Sequence, residues 1–159
     1  IDMRAVIEDT AAATSQLFRE HEVRLECELP GRVPNAKADL DRIGEVLMNL
    51  VSNAVKFIDP GRGRVVIALA EEGDFLRVDV HDNGPGVRPE HQELIFDKFR
   101  QAGDALTGKP QGSGLGLYIS RRIIEHSGGR LWVISRAGQG ACFSFTLPLA
   151  GEAALGRAA

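Results

Sequence analysis

The chain has 159 residues, 43% of them hydrophobic and 26% charged, with a formal net charge of −3. That is enough apolar material for one globular domain with a core of its own, and the mild acidity excludes the basic footprint that a nucleic-acid backbone demands. No run approaches the ~20 apolar residues of a membrane span, no signal peptide opens the chain, and Cys27 and Cys142 have neither metal-ligand spacing nor a disulfide framework, so buried, reduced thiols in a cytoplasmic protein are expected.

Taken in order, residues 2–21 read as a helix, with Val6, Ile7, Ala13, Leu17 and Phe18 near helical spacing. The chain starts within this pattern and without Met, as a piece of something longer would. Val23, Leu25, Cys27 and Leu29 alternate with Arg24, Glu26 and Glu28, which predicts a half-buried strand. Asp39 caps a second helix that runs to Phe57 and stops before Pro60. Residues 64–70 and 75–81 alternate around Glu71-Glu72-Gly73-Asp74, the pattern of an antiparallel hairpin. Residues 89–99 read as a short helix carrying Leu94, Ile95, Phe96 and Phe99. Residues 101–112 lack apolar periodicity and are expected to form a mobile loop. A helix over 115–126 ends at Gly128-Gly129, strands at 130–135 and 141–147 follow, and 150–159 is expected to be a frayed tail.

This order predicts an α+β, two-layer sandwich: a mixed, mostly antiparallel sheet of about five strands with about three helices on one face. Strands arriving as hairpins argue against a Rossmann alternation of strand and helix.

The second helix has two unlike faces. At about 100° per residue, Ile43, Leu47, Leu50 and Ala54 fall within roughly 60°, with Val46 and Phe57 beside them, forming a core stripe. Glu45, Asn49, Asn53 and Lys56 cluster on the opposite side. Asn competes for backbone hydrogen bonds and lowers helix propensity, so two of them one turn apart are a locally unfavourable choice, and such choices mark function. An amide oxygen suits Mg²⁺ that keeps waters and phosphates around it, and a Lys ammonium suits phosphate. A polar face bonded to a neighbouring loop is the plainer reading of the same residues.

Two glycine motifs change that balance. Asp82-Asn83-Gly84-Pro85-Gly86 leaves a strand end, where a carboxylate suits an exocyclic amine such as adenine N6, though an acidic turn has the same composition. Gly112-Ser113-Gly114-Leu115-Gly116 precedes a helix, where backbone N–H groups and the helix dipole favour an anion. It lacks the Lys of a P-loop. One loop suits a base, the other phosphates, and the Asn/Lys face suits metal.

Asn49 to Phe57 (NLVSNAVKF), Asp82 to Val87 (DNGPGV), Ile95 to Gln101 (IFDKFRQ) and Gly112 to Leu117 (GSGLGL) resemble, in order and spacing, the N, G1, F and G2 boxes of sensor histidine kinases. The resemblance covers residues 1–149, taken as the catalytic domain. It implies a Bergerat-type ATP site, with Mg²⁺ on Asn53 and Asn49 a turn away near metal or phosphate. Lys56 would contact phosphate, Asp82 adenine, and Gly84 and Gly86 would line the base pocket. Gly112, Ser113, Gly114, Leu115 and Gly116 would form the triphosphate loop, and Phe96 and Phe99 would pack the root of the lid. Lys98, Arg100 and Gln101 have weaker claims on the phosphates. Related gyrase and Hsp90 types carry Glu where this chain has Asn49. An amide is no general base, so hydrolysis should be poor and ATP kept for another nucleophile.

No segment resembles the family's phosphoacceptor, and His21, His81, His91 and His126 all read as structural. The expectation is therefore a catalytic ATP-binding domain, monomeric as a fragment and acting on a histidine of a separate dimerisation domain. A response regulator lies further downstream, and an inner-membrane anchor elsewhere in the full-length protein is compatible with this reading. A nucleotide-binding regulatory module without phosphotransfer, or an anti-sigma-factor-type serine kinase, are the alternatives.

Overall fold

A computed structural model describes residues 1–97, 116–136 and 138–151. Helix α1 (Met3–Glu20) starts at Asp2, whose carboxylate accepts from the Arg4 and Ala5 N–H groups, and buries Met3, Val6, Ile7 and Phe18. Its buried Thr10 and Thr14 hydroxyls return hydrogen bonds to the Val6 and Thr10 carbonyls, so neither is left unsatisfied. Strand β1 (Val23–Glu28) follows. Helix α2 (Leu40–Lys56) is capped by Asp39, which accepts from Arg42 N–H at 3.1 Å. It buries Ile43, Val46, Leu47, Leu50 and Ala54 as its apolar stripe requires, and Val51 and Val55 as well. The stripe is wider than the sequence suggests, in keeping with a helix that packs against both the sheet and α1.

Strands β2 (Gly63–Glu72) and β3 (Phe75–Asp82) form the expected hairpin. After the second glycine motif come helix α3 (Gly116–His126), β4 (Leu131–Ser135) and β5 (Ala141–Pro148). The five strands lie in the order β1-β2-β3-β5-β4. All pairs are antiparallel except β1 with β2, which run parallel and are joined through α2. The sheet is therefore mixed and mostly antiparallel as expected, and its one crossover unit is β1–α2–β2.

The helix expected over 89–99 is, among described residues, two 3₁₀ turns, Pro89–His91 and Leu94–Phe96. Its backbone bonds run over three residues, as in Gln92 N–H to Pro89 and Phe96 N–H to Glu93. Ile95 and Phe96 are the buried residues of the second turn, and the first turn, which opens at Pro89, buries none. The loop expected over 101–112 lies outside the described residues.

Side chains of Val65, Ile67 and Leu69 on β2, and of Leu76, Val78 and Val80 on β3, form one buried row, completed by Phe145 and Leu147 of β5. Ile43, Leu47, Leu50 and Ile124 join the same core. Register places Asp82 at the end of that row, paired with Val65 and Ala141. On the other face Arg77 lies 5.2 Å from the Trp132 ring centre and donates to Asp79 at 2.9 Å. Cys142 is buried as expected, but Cys27 is exposed: it sits on the edge strand. Among described residues, no helix is long and apolar enough to cross a membrane.

Candidate functional site

The polar face of α2 forms the floor of the site. At one end, Asn49 is half-buried and its amide nitrogen donates to the buried Ser120 hydroxyl of α3 at 3.2 Å. Gly116, the first residue of α3, lies against the same side chain: a Cβ there would meet Asn49 Oδ1 at 2.4 Å. The last residue of the second glycine motif thus sits on the first Asn of α2, and it is glycine because the amide fills the space a methyl would need.

At its other end α2 meets the first glycine loop. A Cβ on Gly84 would lie 3.1 Å from Asp82 Oδ1, 3.4 Å from the Ile58 side chain and 3.6 Å from the Phe57 carbonyl. Asp82 Oδ1 accepts from Gly84 N–H at 2.9 Å. Burial pushes this carboxyl above the usual aspartate range, against the opposing pull of hydrogen bonds from the Gly84 and Ala141 backbones. An acid in an apolar row, bonded to a glycine loop, is set to receive a neutral N–H donor.

Between these ends lie Asn53, half-exposed, and Lys56, exposed. Neither makes a side-chain hydrogen bond to another described residue. Glu45, further up the face, pairs with Arg42 at 3.7 Å on the exposed surface, as a solvated helix charge does. Phe96 is buried, 6.2 Å from Phe143 in an edge-to-face contact, with the Arg121 guanidinium 4.9 Å from its ring centre. It packs α3 onto the sheet. Lys98, Phe99, Arg100, Gln101, Gly112, Ser113, Gly114 and Leu115 lie outside the described residues.

Three residues that sequence reasoning passed over hold the first glycine loop in place. Asn83 accepts from Arg64 N–H at 2.7 Å and donates to the Arg62 carbonyl at 2.8 Å, tying the loop to the start of β2. The Ser135 hydroxyl accepts from Val87 N–H at 2.6 Å and donates to the Gly140 carbonyl at 3.0 Å. Gly140 itself, at φ +88°, approaches so closely that a Cβ would fall 2.0 Å from the Asp82 carbonyl. A glycine directly ahead of a strand is a signal for such an approach; Ser135 carries no local signal. A surface cavity of about 420 Å³, lined by Phe57, Arg62, Asn83, Gly84 and Gly138 among others, opens beside this loop. Its described lining includes neither Asn53 nor Asp82; it lies past the end of α2, at Phe57 and Ile58.

The family described as "Histidine kinase-, DNA gyrase B-, and HSP90-like ATPase" matches residues 38–151. The chain belongs to this family. It is 40% identical over 152 residues to the sensor histidine kinase AruS of Pseudomonas aeruginosa, which covers 93% of this chain and 15% of that protein. It is 36% identical over 152 residues to the adaptive-response sensory kinase SasA of Parasynechococcus marenigrum, covering 94% of this chain and 39% of that protein. The nucleotide-free catalytic domain of histidine kinase ThkA superposes with a TM-score of 0.81 at 31% identity, over 94% of this chain and 93% of that one. The histidine kinase ThkA solved with the response regulator protein TrrA gives a TM-score of 0.78 at 27% identity, over 96% of this chain and 42% of that one. This is the ATP-binding catalytic domain of the histidine kinase type. The chain spans well under half the length of the curated relatives it matches.

Proposed function

We propose that this domain binds Mg²⁺-ATP across α2 and donates the γ-phosphoryl group to a histidine carried on a separate dimerisation domain. A response regulator of the two-component type would be the next acceptor. The observation that carries this reading is the meeting of two distant segments on one helix: Gly116 and Ser120 at Asn49, and Gly84 at the Phe57–Ile58 end. In this reading Asp82 accepts from adenine N6, and the Gly84 and Gly86 backbones flank the base. Lys56 and the segment 112–116 face the phosphates, and Phe96 and Phe99 brace the lid root.

The donor set fits magnesium. Asn53 offers one neutral oxygen free of described partners, and no cluster of three His, Cys, Asp or Glu is found among the described residues. Mg²⁺ is commonly held by few protein ligands together with substrate phosphates and water. Asn53 would hold it, with Asn49 beside it, and the ion would neutralise charge on the phosphate oxygens. The protein's own contribution is positioning: Asp82 fixes the base, Lys56 the phosphate end, and Asn49, an amide without a basic site, leaves water unactivated. Residues 1–149 form the catalytic unit and 150–159 a tail. The domain works at the cytoplasmic side and is monomeric as a fragment.

The test mixes this chain with a histidine-bearing dimerisation domain from its own full-length protein and γ-labelled ATP. Acid-labile, alkali-stable phosphate on that domain is expected, and Asn53→Ala should lower its formation by ~100-fold or more, the scale of losing one preorganised charge-stabilising contact. ATP binding with no transfer would point to a regulatory module, acid-stable phosphoserine on a partner to a serine kinase. Transfer by Asn53→Ala at the native rate would remove the metal assignment.

A further inference from the structure

We propose that Gln92 and Ser135 are positioning residues for base recognition. They clamp the Gly86–Val87 backbone to the β4–β5 turn and so hold the loop carrying Asp82 and Gly84 in its binding shape. The inference rests on the reading of Asp82 as the base acceptor and adds to it the device that keeps the acceptor loop in place.

The clamp closes on both peptide groups of one residue. Val87 N–H donates to Ser135 Oγ at 2.6 Å, and Val87 C=O accepts from Gln92 Nε2 at 3.1 Å. The same Gln92 nitrogen donates to the Ser135 carbonyl at 3.0 Å, and the Ser135 O–H donates to the Gly140 carbonyl at 3.0 Å. Gly138 N–H donates to the Pro85 carbonyl at 2.7 Å, so the turn grips the loop a second time.

Gly86, at φ +78°, makes the approach possible: a Cβ there would fall 2.4 Å from the Arg136 carbonyl and 2.9 Å from Ser135 Oγ. Asn83 ties the first half of the loop to the start of β2 through Arg62 and Arg64. The second half, from Pro85 to Val87, is held by the cross-links to the β4–β5 turn, two of which span 48 and 43 residues of sequence. Gln92 sits between the two 3₁₀ turns, so the clamp also ties the base loop to the segment that packs Phe96 under α3.

Removing the clamp should loosen base recognition while leaving phosphate recognition in place, because Lys56 and α2 take no part in it. The experiment is calorimetric titration of the 159-residue chain with Mg-ADP, Mg-GDP and magnesium tripolyphosphate, for the native sequence, Ser135→Ala, Gln92→Ala and Ser135→Thr. Ser135→Ala and Gln92→Ala should each weaken ADP about 5- to 10-fold, the effect of one or two lost hydrogen bonds, and narrow the preference for ADP over GDP. Tripolyphosphate binding should stay within about 2-fold, and Ser135→Thr, which keeps the hydroxyl, should hold the native preference. Equal losses for ADP and tripolyphosphate, or an unchanged base preference in Gln92→Ala, would overturn the proposal. A native chain that binds ADP and GDP alike would instead remove the reading of Asp82 itself. Should Ser135→Ala fail to fold, Gln92→Ala decides alone.

Discussion

Asp82 is the residue whose energetics and proposed role pull in opposite directions. It occupies an inward position of β3, in line with Leu76, Val78 and Val80, and burial raises its carboxyl above the normal range. The folded state therefore binds a proton before the unfolded chain does. Between the ordinary aspartate value of about 3.9 and the raised folded value, stability at this site grows as pH falls, and it is lost as pH rises through the folded value. Asp82→Asn keeps an acceptor for Gly84 N–H and removes the buried charge. The variant should be as stable as the native chain or more so in urea at pH 7, and its stability should vary less between pH 4 and 7. Its ADP affinity should fall about 10-fold, the difference between a charged and a neutral acceptor. Superimposable stability–pH curves for the two proteins would contradict this account.

At the scale of elements, what the sequence discloses is whatever repeats locally. The two faces of α2, the β2–β3 hairpin and the first glycine loop are each written in adjacent residues, and the structure returns them with bounds shifted by one or two positions. The inward phase of Asp82 was also available, since it continues the alternation of Leu76, Val78 and Val80. The clamp was not. Ser135 reaches Val87 across the fold, and a hydroxyl at a strand end carries no periodic signature. The parallel β1–β2 pair was hidden for a similar reason, because direction depends on where α2 delivers the chain. Meetings between elements can nonetheless be tested by filling space. At the junction of α2 and α3, Gly116→Ala would drive a methyl into Asn49 and displace an amide that Ser120 now holds. Overpacking of this kind costs about 1–3 kcal/mol, so thermal unfolding should move down by several degrees. Nucleotide affinity should fall further than in Ser120→Ala, which removes the hydrogen bond and leaves the space unchanged. Equal affinity in the two variants would mean that the position of Asn49 does not matter.

For the whole molecule, the consequence of this design is that the core and the site share one helix. Leu47 and Leu50 are almost wholly buried on the side of α2 that meets the sheet, while Asn49 and Asn53 face the other way. Anything that loosens α2 from the core must also spread the side chains proposed to hold ligand, and ligand bound to that face must in turn oppose unfolding. Leu47→Ala leaves a cavity at the centre of the core and should lower the unfolding free energy by about 2–5 kcal/mol, read from urea titration. Mg-ATP at about 100 times its dissociation constant should raise the stability of the native chain by about 2.7 kcal/mol, since the unfolded chain has no site. In Leu47→Ala the same nucleotide concentration should raise stability by less, because the weakened helix binds less tightly. An increment identical in both proteins would show that the polar face of α2 keeps its geometry without the packing behind it.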